Sequence, residues 1–213
     1  MSISSFLNKK FLKSLFFPSH NRGKALPKNL IKLLKKPPGF WDLPELPEIG
    51  SPLSNEGLIA SAQISIAKKV KSKRCFFGVN GASGLIQSGI ISMAKPGEYL
   101  LMPRNIHISV IKICALQNIL PIFFDLEFSR ETGHYKPISK EWLTSIFKNI
   151  DLKKRIAGVI LVNPYYQGFS MDLEPLINIC HKHKLPVLVD EAHGSYFLFC
   201  DDMNLPKSAL KSN

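Results

Sequence analysis

The sequence predicts an α/β fold, a mostly parallel sheet with helices on both faces, and two observations carry that expectation. From Ser54 onward, stretches of helical period alternate with short apolar stretches across polar or glycine-containing connections, the pattern of a βα repeat. The strand-like stretches, Ala157-Gly158-Val159-Ile160-Leu161-Val162 foremost, are apolar at successive positions, where a strand wet on one side would alternate. Strands of that kind lie under helices on both faces. Ligands of such sheets sit beyond the strand C-terminal ends, so the turns there are where chemistry is sought.

Taken in order, the spacing predicts helix over Ser54–Val70, strand over Cys75–Val79, helix over Ser83–Ala94 and strand over Glu98–Met102. Helix over Ile106–Gln117 and strand over Leu120–Phe124 come next, then helix over Ser139–Asn149 and strand over Ile156–Val162. Helix over Asp172–Lys182 and strand over Pro186–Asp190 complete the pattern. No internal repeat or low-complexity segment interrupts it. Upstream, Lys36-Pro37-Pro38-Gly39 and Trp41-Asp42-Leu43-Pro44-Glu45-Leu46-Pro47 read as an ordered loop or linker, because each proline fixes φ and removes a backbone donor. The expected division is therefore residues 1–53, a basic arm with a proline-rich linker, and residues 54–213, the sheet domain.

With 213 residues, 45% hydrophobic and 21% charged, the chain can bury a sizeable core. No apolar run approaches the ~20 residues of a membrane span, since Lys9, Lys10 and Lys13 interrupt the opening stretch, and no small-residue cleavage site follows it. A soluble, cytoplasmic protein is the expectation. Cys75, Cys114, Cys180 and Cys200 are widely spaced without a CxxC pair, which points to reduced thiols rather than a metal or redox centre.

The formal charge of +12 invites a nucleic-acid hypothesis, but residues 1–40 hold nine of the 28 basic residues and no acid, leaving 19 basic against 16 acidic elsewhere. The basicity belongs to the arm, with its amphipathic stretch Phe6–Phe17, and not to a groove across the fold. A membrane-surface helix or a cleaved targeting sequence would also fit. An arm packing on a neighbouring subunit is the favoured reading; no nucleic acid is expected, because no aromatic-basic interleaving supports it.

Four strand-end turns carry the candidate chemistry. Asn80-Gly81-Ala82-Ser83-Gly84 follows an expected strand and opens a helix, so backbone N–H groups, the Ser83 hydroxyl and the helix N-terminus converge on a site for an anion. Alone, it is a glycine-rich turn as readily as a phosphate site. Val187-Leu188-Val189-Asp190-Glu191-Ala192-His193-Gly194 places a carboxylate at the end of a buried strand, where it needs a cationic or hydrogen-bonding partner such as a protonated heteroaromatic nitrogen. Ala192 is small enough to lie against a ring, and His193 can reach a polar substituent on it. Pro103-Arg104-Asn105-Ile106-His107 brings a histidine that could stack on a planar ring, although a single histidine in a loop is more often structural. Asn163-Pro164-Tyr165-Tyr166-Gln167-Gly168 closes another apolar strand as a tight turn. The letters Asp190-Glu191-Ala192-His193 also occur in a helicase magnesium motif, but that chemistry needs an upstream Gly-Lys-Ser/Thr loop, and Gly23-Lys24 runs into Ala25.

In this order the four turns resemble the Orn/Lys/Arg decarboxylase family of fold-type I pyridoxal-phosphate enzymes, and Pro18–Gly23, Asp42–Pro47 and Leu205–Leu210 extend the likeness over nearly the whole chain. The resemblance implies an incomplete large domain of the aspartate aminotransferase-like fold and decarboxylation of arginine, lysine or ornithine, within polyamine metabolism. It implies that Gly81, Ala82, Ser83 and Gly84 cup the cofactor phosphate, His107 stacks on the ring, Asp190 pairs with the ring nitrogen, Ala192 packs on a ring face, and His193 lies near the substrate or the ring oxygen. His107 and His193 are the expected catalytic side chains, and no metal is expected. An Asp that keeps the ring nitrogen protonated makes pyridoxal phosphate an electron sink.

Two departures are mild: Ser83 where the family usually has threonine in the phosphate turn, and Tyr165 where it often has threonine. The third is larger. The family continues past Leu-Pro-x-Ser-Ala-Leu into a strand ending Ser-x-His-Lys, whose lysine forms the Schiff base, whereas this sequence ends Leu210-Lys211-Ser212-Asn213. The expectations are a chain inactive alone that holds pyridoxal phosphate non-covalently, as a homo-oligomer or with a complementary chain, or else a non-catalytic subunit.

Overall fold

The computed structural model describes residues 25–150, 155–199 and 205–212. The amphipathic stretch Phe6–Phe17 lies outside them. The chain divides into two compact units at Ile49/Gly50. The first contains helix α1 (Lys28–Leu34), none of whose residues is buried, and a 3-10 turn at Pro38–Phe40. There the Phe40 ring meets Trp41 edge-on at 5.2 Å and carries the Lys36 ammonium 5.3 Å from its centroid.

The second unit is built on a four-stranded parallel sheet. Its elements are α2 (Gly57–Lys69), α3 (Gly81–Met93), β1 (Tyr99–Pro103), α4 (Ile108–Leu116) and β2 (Leu120–Phe124). A small hairpin of β3 (Phe128–Ser129) and β4 (His134–Tyr135) follows, then α5 (Lys140–Asn149), β5 (Ile156–Val162), α6 (Glu174–Lys182) and β6 (Val187–Asp190). The strand order is β2-β1-β5-β6, every pair parallel. Pairing Pro103 with Phe124 and Val162 with Asp190 brings the strand C-terminal ends to one rim.

Two cores, one on each face, explain why the strands are apolar throughout. Leu100 and Met102 of β1 and Ile160 of β5 pack with Ile86, Ile90, Val110, Ile113 and Cys114 of α3 and α4. The alternate residues Leu101, Val159 and Leu161 pack with Leu143, Phe147, Leu176, Ile177 and Cys180 of α5 and α6. The period of two thus runs through both cores instead of separating core from water.

Local chemistry shifts several boundaries. Ser139 does cap α5, its hydroxyl accepting the Trp142 amide at 3.1 Å. Ser54 instead closes its own turn, accepting the Glu56 N–H and donating to the Glu56 carbonyl, so α2 begins at Gly57. The Asp172 carboxylate accepts the Glu174 amide at 3.2 Å, and α6 begins there.

The strand expected over Cys75–Val79 is a correction: that segment joins no ladder among the described residues. Its sequence favours extended backbone, yet a strand also needs a neighbour, and here the Phe77 N–H goes to the Gln63 side chain of α2 at 2.7 Å. The β3–β4 hairpin was not anticipated; its strands are two residues each, Phe128 and Tyr135 meet edge-on at 5.4 Å, and Lys136 pairs with Glu127 beside them. Among the described residues, no helix is long and apolar enough to cross a membrane.

Candidate active site

A cavity of about 370 Å³ opens at the strand C-terminal rim, and all four sequence turns reach it. Ala82, Ser83 and Ile86 of α3 form one wall, and Asn105, Ile106 and His107 between β1 and α4 another. Val162, Pro164 and Tyr166 contribute from the end of β5, and Asp190, Ala192 and His193 from the end of β6. Two larger clefts, about 450 and 640 Å³, lie away from these turns, the first of mixed polar and apolar lining and the second lined by lysines and apolar side chains.

The α3 end is open for an anion. Asn80 precedes the helix without making a side-chain capping bond, so the first-turn N–H groups stay available. Gly81 has φ +64, a left-handed conformation that starts the helix directly from the turn. Gly84 does not line the cavity but is needed beneath it: a Cβ there would lie 2.9 Å from the Asn80 Cβ.

His107 is held in a set orientation. It is the N-cap of α4, with Nδ1 accepting the Ser109 N–H at 3.2 Å and lying 2.8 Å from the Ser109 hydroxyl. Use of the Nδ1 lone pair in this way leaves Nε2 to carry the proton. Opposite it, Asp190 is only 8% exposed. One of its oxygens accepts the Ala192 N–H at 3.1 Å, and no lysine or arginine of the described residues pairs with it. A carboxylate buried to that degree calls for a cation or a hydrogen-bond donor within the cavity. His193 meets the exposed Tyr166 ring edge-on at 5.9 Å.

Beneath the rim, Tyr165 is buried, which pushes its phenol well above the ordinary range despite the neighbouring Asn105 side chain and Ile138 backbone. The side-chain Oδ1 of the buried Asn163 accepts the Met171 N–H at 3.0 Å, securing the turn after β5. Glu191, next to Asp190, turns away from the cavity; burial raises its pKa, opposed by hydrogen bonds from Ser208 and Ala209 and by Asn163.

Of the eight residues singled out from sequence, Ala82, Ser83, His107, Asp190, Ala192 and His193 line the cavity, while Gly81 and Gly84 shape its α3 wall. Sequence reasoning did not assign Ile86, Asn105, Ile106, Pro164 or Tyr166 to it. Ile86 lies one helical turn beyond Ala82, so spacing could have found it. The others depend on the path of the turns.

The residues fit pyridoxal phosphate: an open helix N-terminus suits its dianion, a buried carboxylate that no lysine or arginine of the described residues neutralises suits its ring nitrogen, and His107 and Ala192 line the same cavity. Comparison with solved structures agrees on fold. The chain superposes on the constitutive lysine decarboxylase of Escherichia coli with TM-score 0.65 at 19% identity, covering 92% of this chain and 28% of that one. For the lysine decarboxylase of Francisella novicida the TM-score is 0.62 at 22% identity, with 90% and 28% covered. The architecture is thus the parallel α/β fold that those two lysine decarboxylases share.

Sequence comparison narrows this further. The profile described as Orn/Lys/Arg decarboxylase, major domain, matches residues 14–213, and the chain belongs to that family. It is 30% identical over 195 residues to an arginine decarboxylase of Bacillus cereus, spanning 92% of this chain but 41% of that relative. A lysine decarboxylase of Pseudomonas aeruginosa is 26% identical over 164 residues, 72% of this chain and 22% of the relative.

Proposed function

We propose that this chain forms the cofactor-holding part of a pyridoxal-phosphate-dependent decarboxylase acting on arginine, lysine or ornithine. The observation that carries the reading is Asp190, buried at the end of β6 with one oxygen fixed by Ala192 N–H and no lysine or arginine of the described residues paired with it, in the cavity that the open N-terminus of α3 also faces. When bound, pyridoxal phosphate supplies an electron sink for the pair left behind as a carboxylate departs as CO₂.

The N–H groups of Gly81–Gly84 and the Ser83 hydroxyl hold the phosphate, which the α3 dipole favours. Asp190 would hold the ring nitrogen and favour its protonated form, while His107, its Nδ1 occupied by the Ser109 N–H, and the small Ala192 would hold the ring in the same cavity. His193, with Tyr166 against it, would bound the side from which substrate enters. Substrate choice among the three basic amino acids, cytoplasmic location and a role in polyamine synthesis are part of the same reading.

A second reading is an interaction module completed by further polypeptide, in the same or another chain. It is favoured by the apolar Cys75–Val79 segment, in which Val79 is 95% exposed, and by β6, which among the described residues pairs only with β5. An arm packing on a neighbouring subunit would belong to such an assembly.

The test is an absorbance titration of the purified chain with pyridoxal phosphate, followed by borohydride reduction and mass mapping. Saturable binding with no specifically labelled lysine is expected, because Lys207 pairs with Glu174 and Lys211 reaches the Leu198 carbonyl, both lining a different cleft. Asp190→Ala should weaken binding by at least about tenfold, the worth of one charge-assisted hydrogen bond. A variant that binds as tightly as wild type would remove the ring-nitrogen role.

A further inference from the structure

Glu191, next to Asp190 at the rim, does not line the cavity, and it joins three segments. Its Oε2 accepts the Ser208 hydroxyl at 2.6 Å and its Oε1 accepts the Ala209 N–H at 2.9 Å. The Asn163 side-chain amide approaches it from the turn after β5, near enough to favour the charged form though outside hydrogen-bond geometry. Ser208 is itself fully buried and caps a 3-10 turn at Ala209–Lys211, while Ala209 rests on the α5/α6 core.

The same knot is tight at the backbone. A Cβ at Gly194 would lie 2.7 Å from Pro164 Cδ, 2.8 Å from Glu191 Cγ and 2.9 Å from the Asn163 carbonyl oxygen. The turn after β6 is thus wedged between the turn after β5 and residues 208–209, with no room for a side chain. Asp190 and Ala192 flank Glu191 in sequence, so whatever fixes Glu191 also fixes them.

We propose that Glu191 is a positioning residue of the cofactor cavity: by holding Ser208 and Ala209 it makes the 205–212 segment a brace that sets Asp190 and Ala192 against the ring. This rests on the cofactor reading above. A carboxylate is suited to the task because it accepts two donors at once. Glutamine can keep both contacts, its oxygen accepting Ala209 N–H and its amide donating to a reversed Ser208 hydroxyl, whereas alanine keeps neither.

The experiment titrates pyridoxal phosphate into wild type, Asp190→Ala, Glu191→Ala, Glu191→Gln and Ser208→Ala, reading affinity and the circular dichroism induced in the cofactor band. Expected are a loss of at least about tenfold for Glu191→Ala with a weakened dichroic band, and binding within about threefold of wild type for Glu191→Gln. Ser208→Ala should fall between them and keep the proposal open to refutation if Glu191→Ala does not fold. The Glu191→Ala/Ser208→Ala pair should bind no more weakly than Glu191→Ala alone, since both changes break one contact. Binding lost in Asp190→Ala but unchanged, band included, in Glu191→Ala and Ser208→Ala would overturn this inference and leave the cofactor reading standing. No binding by wild type would remove both.

Discussion

Asp190 and Glu191 are adjacent carboxylates with opposite surroundings: one faces the cavity, the other a knot of neutral donors. For Glu191 the cost of burial outweighs the bonds from Ser208 and Ala209, so its pKa is raised above the ordinary 4.5. The folded chain then binds this proton more tightly than the unfolded chain, and linkage fixes the sign. The stabilisation is fully present below pH 4.5 and is lost as pH rises through the raised folded value. Comparing wild type with Glu191→Gln in urea cancels the other carboxylates. Wild type should lose stability relative to the variant as pH rises through that window, and a difference that is flat with pH would mean that Glu191 titrates as in an open chain.

At the scale of elements, β5 has both neighbours and both faces covered, and Gly158 leaves no room for a side chain. A Cβ there would sit 2.5 Å from Met93 Sδ and 3.0 Å from the Pro186 carbonyl oxygen. Methionine can swing aside, but the backbone of the loop before β6 cannot do so cheaply. Gly158→Ala is expected to cost about 1–3 kcal/mol by overpacking, read as a lower urea midpoint at unchanged slope. An unchanged midpoint would show that the α3–β5–β6 contact has slack. The order of these elements was legible because helical period and doubly apolar strands are properties of sequence alone. Cys75–Val79 was misread because composition reports a preference for extension and not the presence of a partner. The hairpin was missed because two-residue strands carry no period. The site was legible for a topological reason: in a parallel sheet the turns after successive strands share one rim, so His107, Asp190 and His193 meet there, whereas Ser83 joins them from the start of α3, which packs on the same sheet. Tyr166 and Asn105 escaped notice because their places depend on how each turn bends.

For the whole molecule, apolar exposure and net charge act against each other. In the second unit, Leu53 is 87%, Val79 95% and Phe76 54% exposed, and Leu53 and Phe76 share a cleft with Ile64. Apolar surface of this kind, together with a sheet whose β6 edge has no partner strand among the described residues, favours association with a second chain. The formal charge of +12 opposes association by mutual repulsion, and salt screens that repulsion without weakening apolar contact. Light scattering should therefore show a mass that grows with protein concentration and grows further from low to high salt. The double change Phe76→Lys/Val79→Lys adds charge at exposed positions outside any ladder, so far-UV circular dichroism should not change. It should return the chain to monomer at both salt levels. Association that falls as salt rises would instead assign the contact to attraction between charges, and association that persists in the double variant would move it off this face.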